Sequence, residues 1–197
     1  MKFQTAAQPA QGWETLSSTS CYEDPHLAVA TVEVRSPAKP KGHRWTVVHR
    51  KAAVVIAAMT HDAKLVLIRE ERIPVQQASW SVPAGQIDEE QGIEEVARRE
   101  LQEESGYKLG NAGEMLSLGY YFTSPGFTDE CCHFVLARPV EPGADGASHE
   151  ESESILDCRA FDQREITAMI AQNEIRDANT LSICAMLVAR GYLSLGQ

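Results

Sequence analysis

No stretch of the 197 residues approaches a transmembrane helix, which needs ~20 consecutive apolar residues. A membrane-spanning helical protein is therefore excluded. Basic charge is scarce: 18 Lys and Arg against 28 Asp and Glu leave a formal net charge of −10. With no basic stripe to offset that deficit, a nucleic-acid backbone is excluded as a partner. A phosphorylated small molecule remains compatible where metal ions and local arginines neutralise it. Five cysteines, at positions 21, 131, 132, 158 and 184, form an odd and scattered set without C-x-x-C spacing. Neither a disulfide framework nor a zinc site follows, and inert thiols in a reducing compartment are expected. The six histidines likewise lack ligand spacing. Residues 1–12 are polar and contain no apolar secretion segment, so nothing in them directs export and a cytoplasmic location is expected. Repeats and low-complexity tracts are missing as well.

What remains is an ordinary globular composition, 43% apolar and 23% charged, in a chain long enough for one well-cored domain with a short N-terminal addition. The most informative segment runs from Gly85 to Tyr107. Glu100, Glu103 and Glu104 lie at i, i+3 and i+4, which at ~100° per residue puts them on one arc of a helix. Three like charges on one face repel unless a cation neutralises them. Oxygen donors of this kind suit Mg²⁺, with Mn²⁺ as the alternative, rather than zinc. Gly106 follows as a left-handed helix stop, and Pro83-Ala84-Gly85 opens a loop ahead of the helix.

Hydrophobic periodicity places the rest. Residues 27–34 are β-branched and end at a breaker run over 36–42, after which 44–49 alternate and lead into an apolar strand at 52–58. A turn at 60–62 predicts a hairpin with 64–69. A short strand is expected at 80–83, then a helix over 92–105 with Ile93, Val96, Ala97 and Leu101 facing the core. Strands are expected at 115–123, 132–138 and 154–161, with a polar mobile loop over 141–154. Two helices close the chain, near 163–172 and 178–190. Asp177 is the expected N-cap of the last, and Leu181, Cys184, Leu187 and Val188 its buried stripe.

The segment 85–107 resembles the Nudix box, G-x5-E-x7-R-E-U-x-E-E-x-G-U with U aliphatic or aromatic, and the chain is similar to Nudix hydrolases. One position departs: the first Glu of the motif falls on Gln91. In the family that Glu supports the loop, and Glu90, Glu94 and Glu95 are candidates to replace it. Over nearly its whole length the chain is similar to the ADP-ribose and ADP-sugar pyrophosphatase branch. The approach Glu70-Glu71-Arg72-Ile73-Pro74-Val75, the turn Ser124-Pro125-Gly126-Phe127-Thr128-Asp129-Glu130 and the run 174–181, with Asn179 where lysine is common, carry that similarity.

The resemblance implies an α/β/α sandwich on a mixed sheet (residues 51–197) preceded by an N-terminal antiparallel β subdomain (residues 1–50) that dimerises and clamps the base. It implies metal ligation by Glu100, Glu103 and Glu104, by the Ala84 backbone carbonyl and by Glu153, with Glu151 as general base. A solvated acidic loop is the alternative for Glu151 and Glu153. Arg99 is the candidate for orienting carboxylates. Arg50, Arg72 and Gly85 are assigned to substrate, a surface ion pair being the alternative for Arg50. Trp13 and Trp45 match positions that sandwich adenine between two subunits, against ordinary packing as the alternative, whereas Trp80 is expected in the core. The expected activity is Mg²⁺-dependent hydrolysis of a nucleoside diphosphate sugar by a homodimer, ADP-ribose giving AMP and ribose 5-phosphate. GDP-mannose or UDP-glucose hydrolysis, or a nucleotide sensor that does not hydrolyse, are the alternatives.

Overall fold

The computed structural model describes residues 10–88, 90–149 and 154–194. Three antiparallel strands come first: β1 (Glu14–Glu23), β2 (Leu27–Ser36) and β3 (Lys39–Arg50), in the order β1-β2-β3. The expected breaker run over 36–42 is in fact a tight hairpin, because Ser36 pairs with Lys39 and only Pro37 and Ala38 lie between. Pro40 is tolerated because β3 is an edge strand, where one missing N–H need not interrupt the ladder. Every residue of β1 is exposed.

The remaining strands build one mixed sheet: β4 (Ala53–Thr60), β5 (Leu65–Arg72), β6 (Gln77–Ser81), β7 (Ala84–Gln86), β8 (Tyr107–Phe122), β9 (Cys131–Pro142) and β10 (Ile155–Phe161). The order is β10-β5-β4-β9-β8, with β6 on β5 and β7 on β4. β4 and β9 run parallel, and the other pairs are antiparallel. The single strand expected at 80–83 is thus two, separated at Val82 and Pro83. β8 starts directly after the first helix, well before 115. Its pairing breaks between Leu109 and Glu114, where Gly-Asn-Ala-Gly concealed the strand's beginning.

Strand alternation explains the layers. Val55, Ala57, Met59, Leu67, Phe134 and Leu136 face one side of the sheet, where they meet α2 (Gln163–Ala171) and α3 (Ala178–Ala189) through Ile166, Ile183 and Leu187. Val54, Ile56, Ala58, Val66 and Val135 face the other side and bury Val96, Ala97 and Leu101 of α1 (Ile93–Ser105). Strands apolar on both faces are what a sheet covered by helices on both sides requires. The expected α/β/α sandwich with its N-terminal antiparallel sheet is the observed architecture. No helix among the described residues is long and apolar enough to cross a membrane.

Two details refine the helices. The buried stripe of α3 is Thr180, Ile183, Cys184 and Leu187; Leu181 and Val188 are exposed, one position off the expected face. Thr180 belongs to the stripe because its hydroxyl is used twice. It donates to Asp177 Oδ2 at 2.7 Å and accepts from the Val82 N–H at 3.0 Å, tying α3 to the chain that enters β7. Asp177 is the N-cap, accepting the Thr180 N–H at 2.7 Å. An Asp177→Ala variant should lose about 1 kcal/mol, which in a chain of this size is a fall of roughly 2–4 °C in Tm. A scanning-calorimetry trace superimposable on the wild type would refute that role.

Cys131, Cys132 and Cys184 are buried and none of the five cysteines is paired. Burial pushes Cys132 up to about 12 and Cys184 to about 11, so both stay protonated and inert. Trp80 is half-buried against the sheet, edge-on to Phe161 at 4.9 Å, as expected of a core residue.

Candidate active site

The site begins where the edge of β4 is shared. β5 pairs with β4 only at Met59–Leu65, while β7 takes the other end through Ala53–Gln86, Val54–Gly85 and Val55–Ala84. Gly85 shares a register position with Val54, whose side chain lies on the α1 face, and α1 packs directly against β7. A Cβ on Gly85 would sit 2.0 Å from both Cδ and Oε1 of Glu100. Glycine is required here for space, since it lets a buried carboxylate lie against the backbone. One turn further along α1, Glu104 Oε2 accepts the Ala84 N–H at 2.8 Å. Two adjacent residues of β7 thus hold two carboxylates of the helix.

Glu100 and Glu104 are 6% and 4% exposed, which for carboxylates demands strong compensation. Arg99 supplies part of it: one terminal nitrogen donates to Glu100 Oε1 and the other to Glu103 Oε2, each at 2.7 Å. Partial burial disfavours the Arg99 cation, but Glu100 and Glu103 outweigh it and hold its pKa above the usual value. Arg99 therefore bonds two of the three carboxylates expected as ligands. Among the described residues no three acidic, histidine or cysteine side chains form a group that could hold a metal ion. The donors of the cradle are nevertheless hard carboxylate oxygens, Glu100 and Glu104 nearly buried and Glu100 and Glu103 held by one guanidinium, and that set fits a hard divalent cation.

The helix end carrying these groups is fastened from outside. α1 stops at Gly106, with φ +71°, and a Cβ there would lie 2.8 Å from the Ala147 nitrogen. The residues after β9 then cover the last carbonyls of the helix region. Ser148 N–H donates to Glu103 O at 3.0 Å, Gly143 N–H donates to Gly106 O at 2.7 Å, and Gln102 Nε2 reaches Gly146 O at 2.7 Å. The described part of the segment expected to be a mobile loop is therefore anchored, and 141–142 belong to β9. Such bonds satisfy carbonyls that a helix terminus leaves open. Glu151 and Glu153 lie outside the described residues.

Gln91 does not engage the helix carboxylates in any described hydrogen bond. Its Oε1 is buried without a hydrogen-bond partner among the described residues, beside a cleft edged by Arg50, Lys51, Asp88 and His133. Among the described residues none of the expected substitutes is seen to brace the loop: Glu90 and Glu95 are exposed, and Glu94 pairs with Arg98 at 2.6 Å. Lys51 does so instead, binding Asp88 at 2.7 Å, while Ile87 N–H donates to Ala52 O at 2.8 Å.

Arg72 pairs with Glu70 at 2.8 Å. Glu70 is 8% exposed and shares strand parity with Val66, which places it on the α1 face. Sequence reasoning missed this carboxylate, although an acidic residue in phase with buried Val66 was a readable signal. Arg50 does form an ion pair, with Glu130 at 3.2 Å, and Glu130 also accepts from Thr123 Oγ1 at 2.7 Å. Trp45 is 51% exposed and its indole N–H donates to Gly126 O at 2.9 Å, so the serine-proline-glycine turn fixes the ring. Trp13 is 56% exposed. The next residue, Glu14, is level with Arg35, and Trp45 is level with Val32, which sets those two positions about 10 Å apart along the sheet and about 10 Å across it. No described ring contact joins the two indoles. Near the end of the chain, Tyr121 donates to Asn179 Oδ1.

A glycine-backed carboxylate cradle on a helix in an α/β/α sandwich defines a class. The chain belongs to the Nudix family, whose NUDIX domain matches residues 48–182, and it is a pyrophosphohydrolase of that family. It is 27% identical over 140 residues to the ADP-ribose pyrophosphatase of Bacillus subtilis (strain 168), covering 71% of this chain and 74% of that protein. It is 28% identical over 169 residues to the methanol dehydrogenase activator of Bacillus methanolicus, covering 85% and 86%. The crystal structure of an ADP compounds hydrolase shares the fold at TM-score 0.70 and 19% identity, over 94% of this chain and 96% of that one.

Proposed function

We propose that the protein is an Mg²⁺-dependent ADP-ribose pyrophosphatase, releasing AMP and ribose 5-phosphate. The cradle of Gly85, Ala84, Glu100 and Glu104 supports the pyrophosphate chemistry. The observation that carries the nucleotide assignment is Trp45, half-exposed yet fixed through its N–H to Gly126. A rigid indole with an open face is a stacking platform for a flat base. The similarity to an ADP-ribose pyrophosphatase supports the same reading.

Glu100, Glu103 and Glu104 would hold the metal, with the Ala84 carbonyl and Glu153 completing the donors. When bound, Mg²⁺ (or Mn²⁺) polarises the phosphoryl oxygens and offsets developing charge. Arg99 keeps Glu100 and Glu103 in place for it. Arg50 and Arg72 present guanidinium groups to the phosphates. Glu151 takes the proton from the attacking water. The separation of Trp45 from the start of β1 supports a base sandwiched between two chains, with a homodimer as the working unit. Residues 1–50 serve as its pairing and base-binding subdomain, and the fully exposed β1 supports that role.

Trp13→Ala and Trp45→Ala should each raise KM for ADP-ribose by about tenfold with little change in kcat, since stacking a base on an aromatic ring contributes ~1–3 kcal/mol. Light scattering should show a dimer. A monomer with unchanged KM in both variants would remove the shared base clamp.

A further inference from the structure

The turn from Ser124 to Glu130 is bound to β3 along its length. Besides the Trp45–Gly126 bond, Val48 N–H donates to Phe127 O at 2.8 Å. Asp129 then takes two consecutive residues of β3, accepting the Arg50 N–H on Oδ1 at 3.1 Å and meeting His49 Nδ1 with Oδ2 at 2.6 Å. Glu130 completes the series by holding the Arg50 side chain through Nε at 3.2 Å. The other oxygen of Glu130 is fixed by Thr123 Oγ1 at 2.7 Å, so the carboxylate cannot rotate away without losing a bond. Its side chain is 17% exposed, against 40% for Arg50. The closest contact of this ion pair is at Nε. The two terminal nitrogens of the guanidinium, which carry four of the five donors, make no hydrogen bond to a described residue.

We propose that Glu130 is a positioning residue that pre-sets the Arg50 guanidinium for the substrate's pyrophosphate. This rests on the assignment of Arg50 to substrate made above. A guanidinium already held by one edge loses less freedom when its other edge binds phosphate, so the effect falls on affinity rather than on turnover. The same turn fixes Trp45, so one loop sets both the base platform and the phosphate donor.

The test is a double-mutant cycle on Arg50→Ala and Glu130→Gln. It is read as ADP-ribose affinity by calorimetry without divalent metal, and as KM and kcat with Mg²⁺. Glu130→Gln keeps the shape and removes the charge. It should weaken binding and raise KM by about 5-fold, the scale of a partly exposed ion pair, with kcat within about twofold and Tm unchanged. In the Arg50→Ala background the same change should add nothing. Additive effects, or a glutamine variant with wild-type affinity, would overturn the proposal. Should Glu130→Gln fail to fold, Thr123→Val, which frees one carboxylate oxygen, must show a smaller affinity loss that also vanishes without Arg50. Wild-type binding of ADP-ribose without hydrolysis would defeat the enzymatic reading while the cycle still decides Glu130. No binding at all would defeat both.

Discussion

A Glu104→Gln variant should fold normally and lose about 10³-fold or more in turnover, because a metal ion's charge stabilisation is worth several kcal/mol and each 1.36 kcal/mol is tenfold in rate. The fold survives because the structural duty of Glu104 needs only an acceptor: the Ala84 N–H bonds one oxygen at 2.8 Å, and an amide oxygen can take its place. What glutamine cannot supply is the second charged oxygen beside Glu100. Melting temperature and ADP-ribose hydrolysis, measured on one preparation, separate the two duties. A variant with near wild-type turnover would show that Glu104 holds β7 and nothing more. The same variant bears on the sensor alternative, in which a metal-free binder keeps its affinity for ADP-ribose and has no turnover to lose.

Gly85→Ala should be about as damaging to activity while destabilising far less than its steric clash suggests. The added methyl would lie 2.0 Å from the Glu100 carboxylate and 2.4 Å from its Cγ, distances at which something must move. The atoms in the way belong to a side chain, so the cheapest escape is a rotation of Glu100 rather than a shift of β7. That rotation breaks the Arg99–Glu100 bond and takes a ligand out of the cradle. The stability loss should then be about 1–3 kcal/mol, typical of overpacking, while turnover falls about 10³-fold. Chemical denaturation gives the first number and steady-state kinetics the second. If activity persists, Glu100 is not held against Gly85 for catalysis. If the protein unfolds outright, the glycine serves the fold.

Both predictions rest on a segment whose helix, stop and spacing were readable from sequence, because periodicity and a C-terminal glycine are local properties. The apolar strands were readable for the same reason: Val54 to Met59 and Leu65 to Ile68 alternate between two covered faces, so they appear as continuous hydrophobic runs. Less legible were the places where a local signal had a tertiary purpose. Pro37 to Gly42 looked like a break and is a two-residue hairpin, because the edge position of β3 tolerates a proline. Thr180, outside the stripe expected for the last helix, is buried with its hydroxyl accepting the Val82 N–H. At the site, the motif located Glu100, Glu103, Glu104 and Arg99, and the structure shows why Gly85 belongs with them. Spacing could not reveal the partners drawn from distant parts of the chain: Glu130 on Arg50 and Asp88 on Lys51. Each joins residues whose proximity exists only after the sheet has formed.

The most direct test is product analysis after incubation with ADP-ribose, GDP-mannose, UDP-glucose and NADH, with and without Mg²⁺. AMP and ribose 5-phosphate should form from ADP-ribose faster than products form from the other three, and only when the metal is present. Faster cleavage of GDP-mannose or UDP-glucose would contradict the assignment of substrate, and hydrolysis that survives chelation would contradict the role given to the carboxylate cradle.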